Sequence, residues 1–406
     1  MAQSFLTIFR KPLNAGFLSK LNNVALSPIY CQDVKHLYSK TALGLDGFVQ
    51  QKERIKMQMA SISDKFKDKM SEYVASESKN LIFTEDLKNM VHLADTDKEI
   101  ELAIQMTKRY NQQNRSLRFG NYIFGPVIMR MFYVHNKPDL AVECFKSEEL
   151  RGIFEQTISY QLLLDLLYEN QKYQEILDLF EIITDKQVEG LKYPRHAVVL
   201  AMAACYKLNN PESLEYALKQ WKSLSEFGHQ AMRKATTFCA GLALNQGKPE
   251  IALELLTSVK NQNYTTVRNL KVASLAGVGR VEDAIPILKA VLSEDVSLTD
   301  YRKAHTFNRD VIERVKQAMA SSDDAELTLE FNRLEQIFEK EGHISDQSLD
   351  DQLCSEIQKT IQNRDREFRD NSDFQPRGQY NYNRGYQQRQ NQGRYNSSRP
   401  GLVDLV

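Results

Sequence analysis

The sequence predicts an all-α fold: a right-handed α-solenoid of stacked helix hairpins with a disordered C-terminal tail. Three observations lead there. Apolar residues recur at helical spacing through most of the 406 residues. Glycine and proline are sparse in the middle of the chain and fall at the breaks between periodic stretches. Those breaks return at one phase of a period near 35 residues, the signature of one supersecondary unit stacked on copies of itself.

The clearest unit spans residues 157–191. Ile158, Leu162, Leu166 and Leu167 share one apolar stripe; Ile176, Leu177, Leu179 and Phe180 form a second, after the short polar break Asn170-Gln171-Lys172-Tyr173. Two amphipathic helices joined this tightly form an antiparallel hairpin, and neither buries its stripe alone. An aliphatic or small residue, followed four positions on by a large apolar one in most units, locates the second helix of each copy. The pairs are Ala103/Thr107, Ala141/Phe145, Ile176/Phe180, Ala217/Trp221, Ala252/Leu256 and Ala284/Leu288, spaced 38, 35, 41, 35 and 32 residues apart. The turns before them read Asn136-Lys137-Pro138, Gln171-Lys172-Tyr173, Asn209-Asn210-Pro211, Gln246-Gly247-Lys248-Pro249 and Gly279-Arg280-Val281.

The rest of the chain falls around this array. Residues 1–40 are expected to form a disordered mitochondrial targeting segment, because Met1 to Tyr30 carries Arg10, Lys11 and Lys20, no acid, and Phe5, Ile8 and Phe9 on one helical face. Residues 41–114 read as a helical lead-in with an exposed charged face over 48–77 and a degenerate first hairpin at 84–110. The array proper occupies 115–300. Residues 301–345 read as a helical cap, with Ile312, Val315 and Met319 on one helix and Leu327, Phe331, Leu334 and Phe338 on the next. Residues 346–406 are a charged linker and a low-complexity tail, which cannot bury a core.

The composition excludes several classes. No apolar run reaches the ~20 residues of a membrane span. The cysteines, at 31, 144, 205, 239 and 354, make no CxxC pair, and Cys144, Cys205 and Cys239 sit among apolar residues, as buried free thiols do. No metal-ligand spacing, phosphate loop or nucleophile motif occurs. His92, His135 and His196 read as structural histidines. The chain is expected to be no enzyme, with no cofactor and no metal.

Charge carries the functional expectation. The formal net charge is +0, but it is unevenly divided. Windows covering the first helix of each hairpin (115–138, 157–174, 192–211, 229–249, 259–280) hold 15 basic and 2 acidic residues. Windows covering the second (139–149, 175–190, 212–226, 250–258, 282–295) hold 5 basic and 18 acidic. A polyanion laid along the first-helix side is attracted there. The candidate phosphate contacts are Arg118, Arg130, Arg195, Lys207, Arg233, Lys234, Arg268 and Lys271. The alternative is that these charges only steady neighbouring helices. In the tail, Arg377, Arg384, Arg389, Arg394 and Arg399 interleave with Tyr380, Tyr382, Tyr386 and Tyr395, a pattern that stacks on bases and neutralises phosphates without sequence preference.

The unit Ile158-Ser159-Tyr160 … Ile176-Leu177-Asp178-Leu179-Phe180 resembles the pentatricopeptide repeat. Its aromatic residue opens the first helix and its aliphatic-rich run closes the second; the Trp, Leu-Gly and Tyr pattern of tetratricopeptide repeats is missing. Phe124-Gly125-Pro126, Leu150-Arg151-Gly152, the run Cys205 to Ser213 and Leu242-Ala243-Leu244-Asn245-Gln246 extend the likeness over roughly residues 45–350. The resemblance implies a mitochondrial matrix protein that binds single-stranded mitochondrial RNA, acts in RNA maturation and so supports respiratory-chain function. RNA-processing factors or the mitochondrial ribosome are the further partners it implies. It also implies base contacts just after the first-helix aromatic position, at Gln161, Thr237 and Asn269; Pro126 and Val199 occupy the same place in two other units. A structural role on the mitochondrial ribosome and a tetratricopeptide-like protein scaffold are the alternatives.

Overall fold

The computed structural model describes residues 36–75, 78–117, 122–187, 190–293, 306–320 and 324–357. Apart from two short strands, the regular structure of these residues is helical, as the periodicity requires. A single turn α1 (Lys40–Leu43) leads into α2 (Leu45–Met59), α3 (Ser63–Val74), α4 (Thr84–Leu93) and α5 (Asp97–Leu117). Five hairpins follow: α6 (Gly125–Val134) with α7 (Pro138–Lys146), α8 (Thr157–Glu169) with α9 (Tyr173–Lys186), α10 (Arg195–Leu208) with α11 (Pro211–Glu226), α12 (Arg233–Asn245) with α13 (Pro249–Thr257), and α14 (Thr265–Val278) with α15 (Ala284–Ser293).

The turns explain the period. Asn136, Gln171, Asn209, Gly247 and Gly279 all adopt positive φ, one in each hairpin at the same place. Asparagine and glycine tolerate this left-handed geometry best, which is why they recur there. In four of the hairpins the next amide closes the preceding helix: Lys137 N donates to Phe132 O at 3.0 Å, Lys172 N to Leu167 O at 3.0 Å, Lys248 N to Ala243 O at 2.9 Å and Arg280 N to Leu275 O at 2.9 Å. Pro138, Pro211 and Pro249 then open the second helix, where the missing N–H is no loss. Neighbouring turns are tied together as well. Asn170 Nδ2 donates to Asn136 Oδ1 at 2.7 Å, and Gln246 Nε2 to Asn209 O and Oδ1 at 2.8 and 2.9 Å.

First helices pack on first helices in the order α6, α8, α10, α12, α14, and each second helix fills the seam outside them. The anchors Ala141, Ile176, Ala217, Ala252 and Ala284 are fully buried, with Phe145, Phe180, Leu256 and Leu288 beside them. Each such large side chain contributes about 1.5–3 kcal/mol by leaving water. The first helices are buried on every side: Ser159 to Tyr168, Ala197 to Tyr206 and Ala235 to Ala243 are interior without interruption.

Three features differ from the expectations. The stretch 48–77 is not a free charged helix. Phe48, Ile55, Met59, Phe66 and Met70 are buried, and Lys52 reaches Ala94 O at 2.9 Å and Asp95 at 2.8 Å. The cap, α16 (Arg309–Ala320) and α17 (Ala325–Glu341), is joined by a two-residue parallel pair, β1 (Phe307–Asn308) with β2 (Ile344–Ser345). Both segment boundaries expected at 40 and 346 also move. Residues 36–39 and 346–357 are ordered against the array, including the short helix α18 (Leu349–Leu353). Residues 1–35, expected to be part of a targeting segment, and the residues beyond 357 lie outside the described residues.

Candidate nucleic-acid interface

The inner surface of the array, formed by the first helices, is covered by the chain itself. After α17 the polypeptide crosses α14, α12, α10 and α8 in turn. Asn269 on α14 is the first fixing point. Its Nδ2 donates to Thr265 O, Thr306 O and Gln352 Oε1 at 3.0, 3.2 and 3.4 Å, and its Oδ1 accepts from Asn308 N at 2.9 Å. On α12, Gly241 leaves room for Leu353, and Lys234 Nζ donates to Ser355 O and Oγ at 3.0 and 3.1 Å. On α10, Lys207 pairs with Asp350 at 3.3 Å. The crossing ends where Ile357 N donates to Leu37 O at 2.8 Å and Ser39 N to Ile357 O at 3.2 Å. The N-terminal segment is held in turn by Tyr38 Oη to His196 Nδ1 at 3.1 Å and by a short contact between His36 and Glu169. Burial pushes the Lys234 ammonium down to about 8. Burial likewise pushes the Cys354 thiol up.

This strap decides where the expected site residues lie. The three base-contact candidates are interior. Gln161 and Thr237 are buried within α8 and α12, with Thr237 Oγ1 donating to Lys234 O at 2.9 Å, and Asn269 spends its amide on the strap. None presents a free edge to a base on this surface, which corrects that expectation. Of the phosphate candidates, Arg268 is buried. Arg130 is half-buried, with Nε donating to Leu43 O at 2.9 Å, and desolvation lowers its guanidinium pKa. Lys207 and Lys234 hold the strap. Arg195 and Arg233 are exposed and Lys271 half-exposed. Arg118 and the tail residues Arg377, Tyr380, Arg384, Tyr386, Arg389, Arg394 and Tyr395 lie outside the described residues.

Most of the remaining cations divide by rim, with Arg151, paired with Glu148 at 3.7 Å between α7 and α8, as an exception. At the rim where each hairpin turns, lysines and arginines meet acids: Lys137 with Asp97 at 2.8 Å, Lys172 with Asp139 and Glu175, and Arg280 with Asp283 at 2.6 Å. There the charges steady neighbouring helices. At the opposite rim, where one hairpin leads to the next, no carboxylate among the described residues pairs with Lys192, Arg195, Arg233 or Lys260. Aromatic rings stand beside them instead. Lys192 lies 3.9 Å from the Phe227 ring centre and 5.5 Å from that of Tyr193, and the Arg233 guanidinium lies 3.1 Å from that of Tyr264. Phe227 is 56% exposed and Tyr264 40% exposed. Sequence windows missed this rim because they count charge by helix and do not separate the two ends of a helix.

Other expected structural roles hold. Cys144, Cys205, Cys239 and Cys354 are free and buried; Cys31 lies outside the described residues. His92 stacks on Phe48 at 4.8 Å, with Nδ1 on Lys88 O at 2.7 Å, and His135 Nε2 lies 3.0 Å from Ala94 O. Among the described residues no helix is long and apolar enough to cross a membrane.

No family model matches the chain. Curated proteins do. The chain is 28% identical over 274 residues to "Pentatricopeptide repeat-containing protein 2, mitochondrial" of Xenopus laevis, covering 68% of this chain and 70% of that one. The protein of the same name from Homo sapiens is 28% identical over 274 residues, 68% and 69% of the two chains. That from Danio rerio is 29% identical over 324 residues, 79% and 81%. An all-helical hairpin array at this period and matches of one name in three organisms agree: the chain is similar to the mitochondrial pentatricopeptide repeat-containing protein 2 over two thirds or more of its length.

Proposed function

We propose that this protein is a mitochondrial RNA-binding adaptor, acting in the matrix on single-stranded RNA during its maturation and so supporting the respiratory chain. The observation that carries the reading is the set of cations on the inter-hairpin rim that no described carboxylate neutralises, beside exposed aromatic rings. The names of the relatives support the compartment and the repeat class. The exposed Arg195 and Arg233, with Lys271, are the array's phosphate contacts in this reading. Arg118 and the interleaved arginines and tyrosines of the tail add sequence-independent contacts. The protein works by binding and presenting RNA, without a catalytic centre of its own, and residues 1–35 direct import.

Crosslinking the protein to RNA in living cells and sequencing what is bound tests the reading. Recovery of mitochondrial messenger or precursor transcripts is the expected result. Recovery of ribosomal RNA alone would move the protein to the mitochondrial ribosome. Recovery of no mitochondrial RNA would leave a protein-binding scaffold.

A further inference from the structure

The rim between hairpins holds more than loose charge. The segments joining α9 to α10 and α13 to α14 each bring a lysine and a tyrosine to one edge, and that joining α11 to α12 brings Phe227 and His229, with Arg233 following as the first residue of α12. Tyr193 lies edge-on to Phe227 and to His229, with ring centres 5.9 Å apart in both pairs. Lys192 covers Phe227. His229 also lines a cavity of about 390 Å³ between α11, α12 and α13. Trp221, Leu224, Arg233, Lys260 and Asn261 are among its other walls, and no acidic residue lines it. The Trp221 Nε1 is buried with no acceptor. Tyr264, stacked under Arg233, continues the row onto α14. The cavity falls within the usual range of small-ligand sites, roughly 300–1,000 Å³.

We propose that this rim is a binding track for single-stranded RNA, with one nucleotide seated in the cavity beside Trp221. Its phosphate meets Arg233 and Lys260, and its base lies against the indole, whose N–H gains an acceptor. Phe227 and Tyr264 receive the flanking bases on either side. A nucleotide fits these walls because it combines a fixed negative charge with a flat aromatic face, and stacking of this kind tolerates any base. The strap explains why the track is on the rim: residues 349–357 cover the inner surface, and the uncovered cations are at the edge. The track rests on the RNA-binding reading above.

The test uses the full chain and a fluorescein-labelled 12-nucleotide single-stranded RNA carrying 4-thiouridine. Ultraviolet crosslinking followed by peptide mass spectrometry should place adducts on peptides containing Trp221, His229 or Tyr264. Lys260→Glu should weaken binding at least fivefold and Trp221→Phe at least threefold. Lys219→Glu, an exposed change on α11 away from the cavity, should alter it less than twofold. Unchanged melting of each variant shows that folding is intact. RNA that binds and crosslinks only outside these peptides, or that binds both cavity variants at wild-type affinity, overturns the track and leaves the RNA reading standing. RNA that does not bind the wild-type chain at all overturns both.

Discussion

Gly241 on α12 and Leu353 on α18 occupy one space: a Cβ on Gly241 would stand 2.8 Å from Leu353 Cδ1 and 3.1 Å from Tyr206 Cε2. Gly241 is therefore the seat of the strap rather than a helix weakness. Glycine inside a helix costs about 1 kcal/mol against alanine, and here that cost admits Leu353, which is fully buried.

Gly241→Ala should loosen the strap while leaving the hairpins folded. Hydrogen exchange should speed up in residues 349–357 and stay slow in α8, α10 and α12. Leu353→Ala should act in the same direction, at a cost of about 2–5 kcal/mol to strap docking. Equal acceleration across the array would show that the strap is part of the global fold.

Asn269→Ala removes three donor contacts and the acceptor for Asn308 N–H. An amide left unsatisfied in the interior costs about 1–3 kcal/mol, and the variant should lose roughly 2–4 kcal/mol by chemical denaturation. The measured loss should appear first as release of residues 306–357. A change under about 0.5 kcal/mol, the usual size for an exposed site, would sink this assignment.

Asp165 is wholly buried in α8, and desolvation pushes its carboxyl well above the usual range. Tyr133 Oη lies 2.8 Å from Asp165 Oδ2 and also bonds Glu169. One phenolic hydrogen serves one of these oxygens, and a neutral Asp165 supplies the other proton. An acid whose folded pKa is raised contributes its full stability below the unfolded pKa and loses it as pH rises toward the folded value. Asp165→Asn, which keeps a neutral donor, should therefore match wild type near pH 3.5, below the ordinary aspartate value of about 3.9. At pH 7.5 it should melt at least roughly 2 °C higher. A gap that is the same at both pH values would refute the neutral carboxyl.

The array was legible because its cause is local. Turn residues with positive φ and apolar spacing are properties of short stretches, so Asn136, Asn209, Gly247 and Gly279 declare the hairpins without tertiary information. The cap was legible for the same reason, from Phe331, Leu334 and Phe338. The strap was not. Its contacts join residues such as Lys207 and Asp350, or Leu37 and Ile357, that are far apart in sequence, and its own segment reads as charged and polar. The site residues inherited that blindness. Asn269 and Thr237 look like polar readers in one dimension, but burial turns them into supports. Arg195 and Arg233 stay exposed because each is the first residue of its helix, where the chain emerges onto the rim.

The most direct measurement is the affinity of single-stranded RNA against salt, for a chain ending at Ile357 so that the arginine-rich tail cannot mask the array. Arg195→Glu with Arg233→Glu should weaken binding at least tenfold and reduce the salt slope by about 1.4, two contacts at roughly 0.7 each. Glu181→Gln with Glu215→Gln and Glu254→Gln, exposed on the second helices, should leave both quantities unchanged, since charges beyond a Debye length of about 8 Å are screened. Equal losses from the two sets, or none from either, would contradict the account.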